Sequence, residues 1–248
     1  MPSASPTACR AGSARKADMA APLLLLPGLI CDARIWEAQL AVFADEAPVV
    51  ADYGEAASLP AMAEAALALA PPTFALVGHS MGARIALEVF RLAPERVERL
   101  ALLDTGVHMP GPGEAEKRRA LRDLGRREGM TALVDAWLPP MVHPDRRGDP
   151  ALMGPLRQMC VEAGVEAYAR QIEALIARPD PRPLLPTIAC PTLVATGRQD
   201  EWSPPEQHEA IADAIPDAEL IIFEHCGHMA PAEAPEAVNA ALREWVDR

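Results

Sequence analysis

The sequence predicts a single α/β domain, a mostly parallel sheet with helices on both faces, and three observations carry that prediction. Short β-rich runs alternate along the chain with longer amphipathic stretches, as successive βαβ units do. The runs are apolar throughout and lack the period of two that a sheet with one wet face would impose, so both faces are expected to be covered. The chain has 248 residues, 50% of them hydrophobic, which suits one α/β domain of about 200 to 250 residues with a substantial core.

The strands are expected at Leu23 to Leu26, Pro48 to Tyr53, Phe74 to Val77, Leu100 to Leu103, Thr192 to Thr196 and Glu219 to Phe223. Between them, Ala61 to Ala70 reads as a helix after the start signals Ser58 and Pro60, and Met81 to Leu92 as a helix stopped by Pro94. Helices at Pro205 to Ile215 and Pro235 to Val246 each open on proline, whose missing N–H is not needed in the first turn. The alternation fails between Val107 and Pro186, where helical pieces occur without a convincing strand. The expected organisation is therefore a disordered leader over 1–18, with Met19 as an alternative start, a core over 19–106 and 187–248, and a helical insertion over 107–186 above the sheet's carboxyl edge.

Composition narrows the function. Thirty-five Asp and Glu against 23 Lys and Arg give a net charge of −12, so nucleic acid and anionic membrane surfaces are poor partners. No apolar run reaches the roughly 20 residues that span a bilayer. The five cysteines, Cys9, Cys31, Cys160, Cys190 and Cys226, are widely spaced and odd in number, as expected of structural thiols in a reducing cytoplasm. There is no CxxC pair, Walker loop or GxGxxG fingerprint, and neither a metal nor an organic cofactor is expected.

The informative motif is Gly78-His79-Ser80-Met81-Gly82, which follows the strand Phe74 to Val77 and runs directly into a helix. A tight strand-to-helix turn of this kind, relieved by glycines on either side, projects the serine hydroxyl at a helix N-terminus that favours developing negative charge. A serine hydroxyl is a weak nucleophile, so a base and an acid to orient it are required. The acid candidate is Asp200, in the loop after the strand Thr192 to Thr196; the alternatives are that it caps the next helix, or that Asp104 at the end of its own strand takes the role. The base candidate is His228, in His225-Cys226-Gly227-His228 after the last strand, with His225 its nearest rival. His79 and His225 are expected to be structural, and His108, His143 and His208 solvated.

With serine, acid and histidine in that order, the chain resembles the α/β-hydrolase family from Leu23 to Trp245, and among its members carboxylesterases and pimeloyl carrier-protein methyl ester esterases. The family's strand ending in His-Gly before a loop and a tryptophan is matched by Leu24-Leu25-Leu26-Pro27-Gly28-Leu29 and Trp36, with Pro27 in place of the usual histidine. The common Asp-x-x-Gly-x-Gly-x-Ser loop is reduced to Asp52-Tyr53-Gly54 and Ser58. The resemblance implies that the N–H groups of Leu29 and Met81 form the oxyanion hole and that 107–186 is a helical cap. It implies hydrolysis of an ester or thioester through an acyl-serine, and the methionines of the insertion add the expectation of a small to medium apolar acyl group. A thioesterase, a C–C bond hydrolase or a perhydrolase would use the same triad, and a binding protein on this fold would have lost the chemistry.

Two features of the insertion bear on the substrate. Trp137 and Met141, with Gly28 in the first turn, are the candidate substrate-contacting residues, although Met109, Met130, Leu138, Met153 and Met159 show that an apolar helical core reads the same way. Lys117, Arg118, Arg119, Arg122, Arg126 and Arg127 form a basic run in an acidic chain. It reads either as a solvated helix face, with Glu114 and Asp123 four residues before Arg118 and Arg127, or as a dock for an acidic acyl carrier protein.

Overall fold

Six strands hydrogen-bond in the order β2-β1-β3-β4-β5-β6, every pair parallel, in a computed structural model that describes residues 21–248. The expected leader, Met19 and Cys9 lie outside the described residues. β1 (Leu23–Leu26) is wholly buried, as an all-leucine run flanked by strands on both edges and helices on both faces must be. After it come α1 (Glu37–Val42), β2 (Val49–Val50), α2 (Leu59–Leu69), β3 (Phe74–His79), α3 (Met81–Leu92) and β4 (Val97–Leu103). Four helices follow without a strand: α4 (Glu114–Glu128), α5 (Met130–Trp137), α6 (Pro150–Ala163) and α7 (Val165–Ile176). The sheet resumes with β5 (Thr192–Gly197), α8 (Pro205–Ala214), β6 (Glu219–Phe223), α9 (Ala230–Glu233) and α10 (Pro235–Asp247).

Local signals account for the helix starts. The Ser58 hydroxyl accepts from the N–H of Ala61 and the Asp149 carboxylate from that of Ala151, each satisfying a donor that the first turn leaves free. Prolines open α6, α8 and α10. β2 is much shorter than the run Pro48 to Tyr53 predicts. It is an edge strand paired on one side only, Pro48 has no N–H to give, and the bond from Ala51 N–H to Leu25 O closes the ladder.

Register places the functional ends of the strands level. Leu26 lies opposite Gly78, His79 opposite Leu103, and Leu103 opposite Ala195. Pairing continues one residue further, from Ser80 N–H to Leu103 O and from Asp104 N–H to Ala195 O. The carboxyl edge of the central strands thus presents Ser80, Asp104 and the loop after Gly197 side by side.

Candidate active site

Ser80 links β3 to α3 in a conformation that L-residues avoid, with φ 55° and ψ −117°. The bends on either side depend on close approach. A Cβ on Gly82 would fall 2.0 Å from the carbonyl oxygen of Leu26, and one on Gly78 would fall 2.5 Å from the Cα of Ala83. α3 is therefore seated directly against β1 and β3, and the strain at Ser80 is held by a packed surround.

His228 and Asp200 complete one hydrogen-bonded line. Ser80 Oγ lies 2.8 Å from His228 Nε2, and His228 Nδ1 lies 2.7 Å from Asp200 Oδ2. Asp200 Oδ1 also accepts from the N–H groups of Trp202 and Ser203. Burial pushes the Asp200 carboxyl up, but His228 and these two donors outweigh it and hold the group below its ordinary value. An ionised Asp200 fixes the proton on Nδ1, which leaves Nε2 free to accept from the serine hydroxyl. The alternative role of Asp200, capping the next helix, is not taken up: α8 opens at Pro205 without a side-chain cap, and Asp200 bonds only the loop N–H groups ahead of it.

Glu233 holds the histidine loop from below and carries no signal in the sequence. Its carboxylate, 5% exposed, accepts from the N–H groups of His143, Gly227 and Met229 at 2.8, 3.2 and 3.0 Å. The loop is also tied to the insertion, because His228 N–H donates to Met141 O at 2.7 Å.

The remaining acid and histidine candidates are placed elsewhere. Asp104 is buried and bonds to the N–H of Gly197, with its second oxygen 3.6 Å from His79 Nε2. Burial and the charge of Asp200 raise its pKa well above the ordinary value. His79 donates from Nε2 to His228 O at 2.8 Å, and burial, then His228, pushes its pKa down to about 3. His225 is exposed and packs edge-on to His143. The expectation that His143 and His208 are solvated is corrected: both are buried. His208 Nε2 accepts from the N–H of Thr105, whose hydroxyl in turn donates to Ser80 O, so it packs beneath the serine turn. His143 serves as the cap of a short 3-10 turn.

A cavity of about 210 Å³ opens above Ser80, lined by Leu29, Met81, Trp137 and Met141 together with Arg84, Arg118 and Trp202. The loop after β1 supplies Leu29 and the first turn of α3 Met81; the insertion supplies Trp137, Met141 and Arg118. Gly28 stands behind the wall, since a Cβ there would meet His79 Nδ1 at 2.9 Å and Ser80 Cβ at 3.2 Å. Of the other apolar residues of the insertion, Met109 is exposed, and Leu138 and Met159 are buried in the core cluster. The loop carrying Leu29 is braced at both ends: Tyr53 Oη donates to Pro27 O, and Gln171 of α7 accepts from Ile30 N–H, whose φ is 50°.

The basic run is largely paired within the chain. Arg119 and Arg122 bond Glu173, and Arg126 bonds Glu166, all between α4 and α7. Arg118 bonds Glu114 as the spacing predicts, but Asp123 pairs with Arg122 rather than Arg127, and Arg127 is left to a 3.7 Å contact with Glu128. Arg118 is turned into the cavity. Among the described residues, no group of three His, Cys, Asp or Glu side chains is arranged to hold a metal, and no helix is long and apolar enough to cross a membrane.

A parallel sheet whose serine elbow, histidine loop and acid loop meet at its carboxyl edge is the architecture of a hydrolase. The chain belongs to the Alpha/beta hydrolase family, whose model matches residues 23–241. A thermophilic esterase from Thermogutta terrifontis, solved with malate bound, is 33% identical with a TM-score of 0.83 over 92% of this chain and 89% of that one. The enol-lactonase from Burkholderia xenovorans LB400 is 26% identical with a TM-score of 0.81 over 92% of both chains. A 2-hydroxy-6-oxononadienedioate/2-hydroxy-6-oxononatrienedioate hydrolase from Pseudomonas sp. is 25% identical over 70% of this chain; the match spans 62% of that relative's length.

Proposed function

We propose that the protein is a serine hydrolase of carboxylic esters, acting through an acyl-serine. The observation that carries the reading is the unbroken line Ser80, His228, Asp200 at 2.8 and 2.7 Å beneath a cavity. His228 takes the Ser80 proton as the oxygen attacks the ester carbonyl. The N–H groups of Leu29 and Met81 receive the charge that develops on the carbonyl oxygen, a stabilisation that exists only once the tetrahedral state forms. His228 then protonates the departing alcohol, and the same imidazole activates the water that releases the acid. Trp137 and Met141 give the acyl chain an apolar wall. The four described cysteines are free thiols, as a reducing cytoplasm keeps them, and we place the reaction there.

Hydrolysis of p-nitrophenyl esters from acetate to laurate by the wild type and by Ser80→Ala, with an acyl thioester included, tests this. Turnover of at least one ester that is lost in Ser80→Ala is expected, and its chain-length optimum sizes the cavity. No turnover by folded wild-type protein refutes ester hydrolysis. The likeness to the Pseudomonas hydrolase then favours C–C bond cleavage on the same residues.

A further inference from the structure

The upper wall of the cavity carries more positive charge than the chain neutralises. Arg84 lies one helical turn beyond Ser80 on α3, so its side chain rises on the same side as the nucleophile. It lines the cavity with Arg118, and Arg178 stands just behind them. One carboxylate serves the three. Glu114 is gripped by both arms of Arg178, at 2.6 and 3.0 Å, and by Arg118 Nε at 2.9 Å. Burial pushes the Glu114 carboxyl up, but these two arginines outweigh it and bring it down to about 2, so the cluster has three positive charges against one negative.

All three nitrogens of Arg178 donate, since besides Glu114 they bond the carbonyls of His108 and Leu175. Those of Arg84 and Arg118 do not all donate. Arg84 is half-buried and gives a single hydrogen bond, from Nη2 to the carbonyl of His108 at 3.2 Å, with no carboxylate partner among the described residues. Arg118 gives only Nε, and its guanidinium plane lies over the Trp202 ring with 5.6 Å to the centroid. Its side chain is 11% exposed, which withdraws it from the surface face of α4. Desolvation, followed by repulsion from Arg178, lowers the pKa of Arg84 to about 9. A cation held this way costs free energy unless an anion enters the cavity.

We propose that Arg84 and Arg118 bind a carboxylate of the substrate, so that the favoured esters are half-esters of dicarboxylic acids, with the free carboxylate at the far end of the acyl chain from Ser80. This rests on the ester hydrolase reading. The two guanidinium groups offer forked donors that match a carboxylate, and the apolar wall of Trp137 and Met141 accommodates the methylenes between the two ends. Arg118 also lines a second apolar recess with Leu121 and Tyr168, which gives longer chains room beyond the first cavity.

The test compares p-nitrophenyl hydrogen glutarate with its methyl-capped twin, methyl p-nitrophenyl glutarate, and extends both from succinate to suberate. The wild type is expected to favour the free acid in kcat/KM by roughly tenfold or more, the value of one charge-assisted bond, with the preference shrinking as salt rises. Arg84→Gln and Arg118→Gln should each bring that ratio down toward one, and Arg84→Lys should lower it by less. Glutarate titrated calorimetrically into Ser80→Ala gives a readout independent of turnover, and binding that Arg84→Gln abolishes is expected. A half-ester cleaved no faster than its capped twin overturns the proposal while leaving ester hydrolysis intact. If neither ester is cleaved, the hydrolase reading fails, and the calorimetry alone decides: bound glutarate sustains the carboxylate site, and unbound glutarate overturns it.

Discussion

Replacing Glu233 by alanine isolates the support of the histidine loop from the chemistry it serves. The carboxylate is buried, lines no part of the cavity above Ser80, and accepts the backbone N–H groups of Gly227 and Met229, on either side of His228, and of His143. Each buried donor left without a partner costs about 1–3 kcal/mol, so the variant should lose at least about 3 kcal/mol. Set against a typical total of about 5–15 kcal/mol, that is a large fraction. For a chain of this length it lowers Tm by on the order of 10 °C. Because Gly227 and Met229 bracket the base, the loop should also wander, and displacement by about 1 Å is worth up to roughly a hundredfold in kcat. KM should hold, as no substrate-facing group has changed. Glu233→Gln should fall between, since an amide replaces one accepting oxygen with a donor that faces another donor. Calorimetric melting with steady-state hydrolysis of a p-nitrophenyl ester reads both quantities. A Glu233→Ala protein with Tm within about 2 °C of wild type and undiminished kcat would refute the argument.

Gly82→Ala should fail to accumulate as folded protein, because its Cβ would stand 2.0 Å from the Leu26 carbonyl oxygen and neither backbone can yield; a wild-type melting curve would contradict this. Asp200→Asn should lower kcat by about 10⁴-fold by releasing the wrong imidazole tautomer. Asp104→Asn, which alters no bond to His228, should cost far less, and the two kcat values decide between the acids. The pKa of His208 is lowered from 6.5 to about 4, by burial first, so below pH 6.5 the unfolded chain takes up a proton that the folded chain refuses. Stability tied to this group is complete above pH 6.5 and falls progressively as the pH drops toward 4. Urea titrations at pH 7 and pH 5 should therefore show a smaller acid loss in His208→Gln than in wild type, and an equal loss would remove His208 as the cause.

The parts legible in the sequence were those where one residue type answers one local need. Six apolar runs between helical stretches gave six parallel strands, and Gly78-His79-Ser80-Met81-Gly82 gave the serine turn, because only small residues fit where α3 meets β1. Asp200 and His228, expected from their places after β5 and β6, are brought within hydrogen-bond reach of each other and of Ser80. Residues whose role depends on distant partners left no such trace. Glu233 is one of many glutamates until the chain returns it beneath Gly227. His208 lies on a helix with polar neighbours, yet its ring is enclosed by the loop after β4. The basic run looked uniform along α4, and only the packing of α7 beside it separates the arginines that meet Glu166 and Glu173 from Arg118, which faces the cavity.

The bond from Ile30 N–H to Gln171, like those from His228 N–H to Met141 O and from His143 N–H to Glu233, crosses between the insertion and the rest of the chain. Helical insertions above a sheet look like interchangeable modules, to be swapped when a new specificity is wanted. Here the insertion supplies an acceptor to the very turn that presents Leu29, so a transplant that improves the fit to a new acyl chain but lacks the glutamine would loosen the turn beside the nucleophile. Redesign of this protein would have to carry Gln171 across with any borrowed helix, and selection acting on substrate range is bound by the same tie.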